Sequence, residues 1–288
     1  MLDDPRLRVV ECSYDVDRLR EVAKGCDAII NCAGTTDMSL LHYEDYVPIN
    51  VTLCEQVLQL MDELAIPTLV HISTANTIGY GSRQQPANEE AEMKPPFTAS
   101  YYAQSKREAE QLLGWAASQH PERHIVCLNP GFMVGAYDTK SSSGKLLLAA
   151  SKRPLMIVPK GGKSFVAVRD VAEAAVRALT QGRHGQRYLV AGTSLTLREF
   201  YTMQAEVCSY RQHIWSIPSW LVRLSGRIGD LLRFCGIPTQ LSTRNVRQLL
   251  VQEYYDCSAA MRDLHYSPSS LEKAIRDFFR WRAERTQS

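Results

Sequence analysis

Two side chains in the segment SYYAQSKREAE stand four residues apart, Tyr102 and Lys106. On a helix that spacing puts them on one face, with an ammonium one turn from a phenol. A free phenol, with a pKa of about 10, transfers protons poorly at neutral pH. A nearby positive charge favours phenolate and pulls that pKa toward the working range, which is what an acid–base tyrosine requires. In isolation the spacing is weak evidence, and a solvated helix face is the simpler reading. Upstream, VHISTANTIGYG closes an apolar run on two hydroxyls, Ser73 and Thr74. A hydroxyl at a strand's carboxyl end can hydrogen-bond a substrate oxygen and hold it beside the tyrosine.

These residues need a scaffold, and the chain alternates short apolar runs with helical periodicity. Leu7–Glu11 reads as a strand, followed by a helix, DVDRLREVAKG, that closes on Gly25. Cys26–Asn31 is a second apolar strand, Tyr43 to about Leu64 is helical, and Thr68–Ile72 is the next strand after Pro67. Ser100 to about Gln119 is a long helix, and His124–Leu128 a strand. Strands that read as continuous apolar runs between helices predict a parallel sheet covered on both faces. After Pro130 the pattern shifts: a polar stretch, Ser141–Gly144, then short strands at Phe165–Val168 and Arg187–Val190. Helices are expected near Asp170–Thr180, Thr196–Cys208, Pro218–Phe234 and Ser270–Arg285. Residues 1–135 are expected to form a doubly wound domain carrying the chemistry. Residues 136–288 form a smaller α/β substrate region, with some segments returning to the first core.

Composition narrows the function. The 288 residues are 45% hydrophobic and 22% charged, ordinary for a globular protein, and a net charge of +2 gives no case for nucleic acid. The start, Met-Leu-Asp-Asp-Pro, does not read as a signal peptide, and no apolar run is long enough for a membrane span. The eight cysteines are scattered, with no CxxC and no Cys/His cluster at zinc spacing. Most lie in apolar runs such as CDAIINCAG and HIVCLNP, where free thiols behave as small buried hydrophobes. The expectation is a cytoplasmic protein with neither disulfides nor metal.

With the strand, the hydroxyl pair and the helix in this order, the chain resembles the extended short-chain dehydrogenase/reductase family. The resemblance runs almost end to end and is nearest the dihydroflavonol-reductase and 3-beta-hydroxysteroid-dehydrogenase-like branch. CDAIINCAG resembles the strand whose terminal Ala33 and Gly34 lie against the cofactor. YEDYVPINVTLCEQVL resembles the next helix, with Asn50 at the family's asparagine, although Leu53-Cys54 replaces the usual Gly-Thr. HISTANTIG resembles the serine/threonine strand, its register setting Thr74 at the catalytic hydroxyl. LNPGFMVGAYD resembles the strand end whose Pro130 and following residues, including Met133, flank the nicotinamide. FVAVRDVAEAAVRAL, GQRYLVAGTSLTLREF and YSPSSLEKAIRDFFRW resemble the substrate-domain segments.

What the resemblance implies is an NAD- or NADP-dependent oxidoreductase, moving hydride between nicotinamide and a ketone or secondary alcohol. Tyr102 would move the proton, Lys106 would lower the tyrosine pKa and bind the nicotinamide ribose, and Thr74 would hold the substrate oxygen. The partner would be a small-molecule substrate. The two long helices also resemble those of a family homodimer interface, an analogy of fold alone.

The resemblance also implies an opening strand, a glycine-rich turn, a helix and a second strand, whereas this chain begins at what should be the third strand. The expectation is therefore a Rossmann-like doubly wound parallel sheet, truncated at the amino terminus. Roughly 40–60 upstream codons would encode the rest. Asp27–Asn31 would lack a neighbour on one edge. Ser13 stands where the family usually has an aspartate near the adenine.

Two readings compete with a reductase. A sugar-nucleotide epimerase would use the same tyrosine and lysine without net cofactor turnover. A non-catalytic binding protein on a decayed reductase would fit the missing phosphate site. A 4,6-dehydratase fits less well, because Ala75-Asn76 replaces the Asp-Glu that its elimination step uses. Gly162-Lys163-Ser164 is not a phosphate loop, since Ile157 stands where the pattern needs glycine; a surface turn is expected there. The stretch IPSWLVRLSGRIGDLLRFCGIP is amphipathic and basic, and is expected to bury its apolar face against the sheet rather than lie on a membrane.

Overall fold

The computed structural model describes residues 4–12, 14–37, 39–139, 143–237, 239 and 241–287. Ser13 and the first two residues of Ser141–Gly144 lie outside the described residues. The first half of the chain runs α1 (Val16–Ala23), β1 (Ala28–Asn31), a π turn (Pro48–Thr52), α2 (Leu53–Leu64), β2 (Thr68–Ile72), α3 (Tyr101–Gln119) and β3 (His124–Pro130). Then follow β4 (Phe132–Val134), α4 (Gly144–Ala150), β5 (Leu155–Val158), β6 (Gly162–Ala167), α5 (Val168–Ala178), β7 (Arg187–Val190) and β8 (Thr193–Thr196). The rest is α6 (Leu197–Val207), β9 (His213–Ser216), α7 (Ser219–Phe234), α8 (Thr243–Gln248), β10 (Gln252–Glu253), α9 (Ser258–Asp263) and α10 (Leu271–Gln287).

Four strands, β1-β2-β3-β7, make one parallel sheet, with Ala28 opposite Thr68, Thr68 opposite His124 and Cys127 opposite Arg187. Successive side chains of a strand point to opposite faces. Leu69 therefore joins Val57, Met61 and Leu113 on the α2/α3 side, while Val70 joins Val126, Val171 and Ala174 on the α5 side. Both faces are apolar, which is why the strands read as continuous runs. The expected Rossmann-like parallel architecture is what the chain adopts. A second sheet, β10-β6-β4 with β8 antiparallel to β6, packs with α6 and α10 around Phe165, Phe200, Ile275 and Phe278.

Four expectations need correction. Leu7–Glu11 is not a strand; its Val9 is exposed, and among the described residues β1 at the sheet edge pairs only with β2. An apolar run of five residues becomes a strand only when a neighbour satisfies its backbone groups. Gly162-Lys163-Ser164 is not a surface turn but the first half of β6. There Gly162 and Ser164 are buried, and Lys163 Nζ lies 2.6 Å from Glu253 Oε1. Of the cysteines in the two quoted runs, Cys127 is buried but Cys26 and Cys32 are exposed. Finally, α7 does not bury its apolar face: Trp220, Leu224, Ile228 and Leu231 are exposed.

Candidate active site

The carboxyl ends of the parallel strands gather nearly all the polar residues buried in this half of the chain. Thr74 follows β2 in extended conformation and caps a short 3-10 turn, its Oγ1 accepting from Asn76 N at 3.3 Å. Ser100 caps α3, accepting from Ala103 N, so Tyr102 lies in the first turn and Lys106 one turn on. The Thr74 hydroxyl sits near enough to the Tyr102 phenol to favour its ionised form. The spacing read from sequence thus brings the three candidates to one place.

The electrostatics differ from the sequence expectation. The Tyr102 phenol is pushed up, not down; desolvation is the main cause, the nearby Thr74 hydroxyl opposes it, and the Glu110 carboxylate adds to it. Lys106 is held below the usual lysine range by its own burial. Its ammonium is spent elsewhere than on Tyr102: Nζ donates to Ile72 O at 2.8 Å and lies 3.2 Å from His71 Nε2.

His71 is a residue that the spacing argument missed. It is fully enclosed, and burial, then the Lys106 charge, hold its pKa well below the ordinary value, so the ring is neutral. Asn31 accepts from Ala33 N through Oδ1 at 3.1 Å, which turns its Nδ2 toward His71 Nδ1 at 3.2 Å. A chain of polar contacts therefore runs from the end of β1 through β2 to Lys106.

Asn50, in the π turn, is the second brace. Its Oδ1 accepts from Thr35 N at 2.9 Å, and its Nδ2 donates to Ser105 Oγ at 2.9 Å and to Thr35 O. π turns recur at functional sites because they re-aim a side chain without ending the helix. Here Asn50 ties the loop after β1 to the residue before Lys106. Glu110 is a third brace, also missed. Its Oε1 accepts from Ser73 Oγ at 2.5 Å, Thr77 Oγ1 at 2.6 Å and Asn129 Nδ2 at 2.6 Å. Asn129 Nδ2 donates as well to Thr74 O. The available signal for all of these was a polar residue inside a strand or helix face otherwise buried.

Of the remaining candidates, Gly34 lies beside Lys106, where a Cβ would stand 3.8 Å from Nζ and 3.4 Å from Asn50 Oδ1. Ala33 is half-buried next to it. Pro130 ends β3, buried, directly after Asn129. Met133 lies on β4 in the second sheet with its side chain 36% exposed.

A family model, "Epimerase: NAD dependent epimerase/dehydratase family", matches residues 3–191. The chain belongs to the NAD-dependent epimerase/dehydratase family. Among its relatives is a putative dihydroflavonol 4-reductase of Synechocystis sp., 24% identical over 269 residues, covering 91% of this chain and 78% of that protein. Another is a 4-hydroxy-2-methyl-3-oxo-4-farnesyl-3,4-dihydroquinoline-1-oxide ketoreductase of Stigmatella aurantiaca. It is 27% identical over 221 residues, covering 75% of this chain and 64% of the relative. The same fold is seen in RMD from Pseudomonas aeruginosa complexed with NADPH, at a TM-score of 0.72 and 18% identity, over 94% and 85% of the two chains.

For this family member, the residues at the strand ends fit the nicotinamide half of such a cofactor. Gly34 leaves an approach to Lys106 that any larger side chain would narrow, and Lys106 is the buried cation that a ribose hydroxyl would face there. Burying a polar hydroxyl beside that cation compensates a charge that is otherwise costly to bury.

Proposed function

We propose that this chain is an NAD(P)H-dependent reductase of an apolar, ring-bearing ketone. In this reading Tyr102 gives the proton, Thr74 holds the carbonyl oxygen, and Lys106 with Gly34 receives the nicotinamide ribose. The observation that carries it is the Thr74 hydroxyl beside the Tyr102 phenol, one helical turn from a buried lysine. Because burial raises the Tyr102 pKa, the side chain is a protonated phenol at neutral pH. A phenol in that state donates to an oxygen that is gaining negative charge, which is the direction of carbonyl reduction. The Thr74 hydroxyl, fixed by Asn76 N–H, steadies the same oxygen. Bound nicotinamide supplies the hydride, and the protein supplies orientation and the proton. Ala33 and Pro130 would border the ring from the ends of β1 and β3, with Met133 beyond Pro130.

The relatives named as reductases support the direction and the substrate class: one is named for a dihydroflavonol, the other for an oxo ring bearing a farnesyl chain. Elimination of water is disfavoured, because the residues after Thr74 are Ala75 and Asn76, which bring no carboxyl group to that turn. Epimerisation uses the same residues but returns its hydride. The deciding experiment incubates the chain with NADH or NADPH and an apolar ring ketone. A reductase consumes one reduced cofactor for each alcohol formed. Cofactor that is bound but never consumed, with any ketone tried, would favour the epimerase reading instead.

A further inference from the structure

α7 has two faces, and the structure buries the unexpected one. Val222, Gly226 and Gly229 are inside. A Cβ on Gly226 would meet Val246 Cγ2 of α8 at 2.5 Å, and one on Gly229 would meet Leu241 O at 2.3 Å. The close approach that glycine allows is what seats the helix. The opposite arc, Trp220, Leu224, Ile228, Leu231 and Phe234, faces solvent, from 44% exposed at Leu224 to 89% at Phe234. At 100° per residue these five span about 120°, the width of a stripe that soluble helices normally turn to a core. On the same count Arg223 lies just outside the stripe, beside Phe234, and Arg227 lies within its edge, between Phe234 and Trp220; both are exposed and without an ion-pair partner among the described residues. The helix's one acidic residue, Asp230, lies beyond Arg223 and accepts from Thr243 N at 3.1 Å.

We propose that α7 docks this chain on an anionic lipid surface, its apolar stripe sinking below the headgroups and Arg223 and Arg227 lying at headgroup level. A broad apolar stripe with arginines along one side and an aromatic at each end is the form of an interfacial helix. No helix of the described residues is long and apolar enough to cross a membrane, so the contact is with one leaflet. A second copy of the chain fits the stripe less well. Sixteen helical residues make a ridge about 24 Å long and 10 Å wide, far less than the roughly 800 Å² per partner of a stable interface. A two-fold pairing of such ridges would also set the arginines of both copies against one another. The docking helix has a physical tie to the candidate site. Val246 of α8 packs on Gly226, and two residues earlier Arg244 lies 3.5 Å over the ring of Tyr101, next to Tyr102. The inference does not depend on which ketone, if any, the site reduces.

The test is flotation of the full chain with vesicles of pure phosphatidylcholine and of phosphatidylcholine mixed with phosphatidylglycerol. The chain is expected to float with the mixed vesicles, bind the neutral ones weakly, and come off as salt is raised. Arg223→Gln with Arg227→Gln should weaken binding to the mixed vesicles roughly 30-fold. Leu224→Glu with Ile228→Glu should abolish it while the circular dichroism and the melting curve stay as in the parent, since both side chains are exposed. Failure to float with either vesicle overturns the proposal, as does flotation that neither pair of substitutions weakens. So does a dimer in solution that Leu224→Glu with Ile228→Glu splits, because the stripe would then belong to a second copy.

Discussion

Replacing Glu110 by alanine tests whether the site is held from behind. Its side chain is 1% exposed and accepts from three groups of the strand ends, with Arg107 and Arg187 at 3.3 and 3.2 Å. The losses are unequal. Thr77 keeps Thr74 O as an acceptor, and Asn129 Nδ2 keeps Thr74 O and Thr77 Oγ1. Ser73 loses its partner outright, at about 1–3 kcal/mol for a buried unpaired hydroxyl. The guanidiniums lose a buried counter-charge. Breaking such a pair costs about 3–5 kcal/mol, and the low end applies because Arg107 and Arg187 are 37% and 26% exposed. Discounting for overlap, the expected destabilisation is about 4 kcal/mol. At roughly 2–4 °C per kcal/mol in a chain of this size, the melting temperature falls by about 10 °C. Glu110→Gln keeps the shape and one acceptor, so its loss should be near half. Calorimetry of the three proteins makes the comparison. A Glu110→Ala protein melting within about 2 °C of the parent would refute the brace, since that is less than one hydrogen bond's worth.

Lys106→Met should raise stability at neutral pH while destroying function. The folded-state pKa lies below the ordinary 10.5, so the unfolded chain holds the extra proton between the two values. Parent stability therefore rises with pH through that window and carries the full penalty below it. Denaturant titrations should find a higher midpoint for Lys106→Met and no alkaline rise; a lower midpoint with the rise intact would contradict the burial account. The His71 ring should stay neutral well below its ordinary pKa of 6.5. Ring nitrogen chemical shifts followed against pH read this, and a ring that protonates near 6.5 would contradict its burial. Thiol titration of the native chain should modify Cys26 and Cys235 quickly and leave Cys54, Cys127 and Cys257 for the unfolded state. Burial pushes the Cys54 and Cys257 thiols up to about 12, so modification of those two at native pH would argue that the core opens.

The sheet was legible where both of its faces are apolar. Thr68–Ile72 and His124–Leu128 announce themselves because helices cover them on either side, and Ser100 marks the start of α3 by capping it. The meeting of Thr74, Tyr102 and Lys106 followed from a strand end and one helical turn. What could not be read was which neighbour each element finds. Leu7–Glu11 has strand composition, but among the described residues no strand pairs with it. Gly162–Ser164 resembles a turn until β10 and β8 pair with it on both sides. For α7, hydrophobicity pointed to the leucine face, and the glycines at 226 and 229, which select the buried face by close approach, were the better signal. The Tyr102 pKa was misjudged for a related reason. The lysine one turn away is oriented by His71 and Ile72 O, partners that no spacing rule contains.

Turnover by Tyr102→Phe, with cofactor affinity measured separately on the same protein, tests the central claim most directly. The substitution removes one hydroxyl, and with it the proton that the alcohol product requires. Affinity for NADH or NADPH should stay near that of the parent, while reduction of the ketone falls roughly 100-fold or more. A Tyr102→Phe protein that binds cofactor normally and reduces the ketone at the parent's rate would contradict the account.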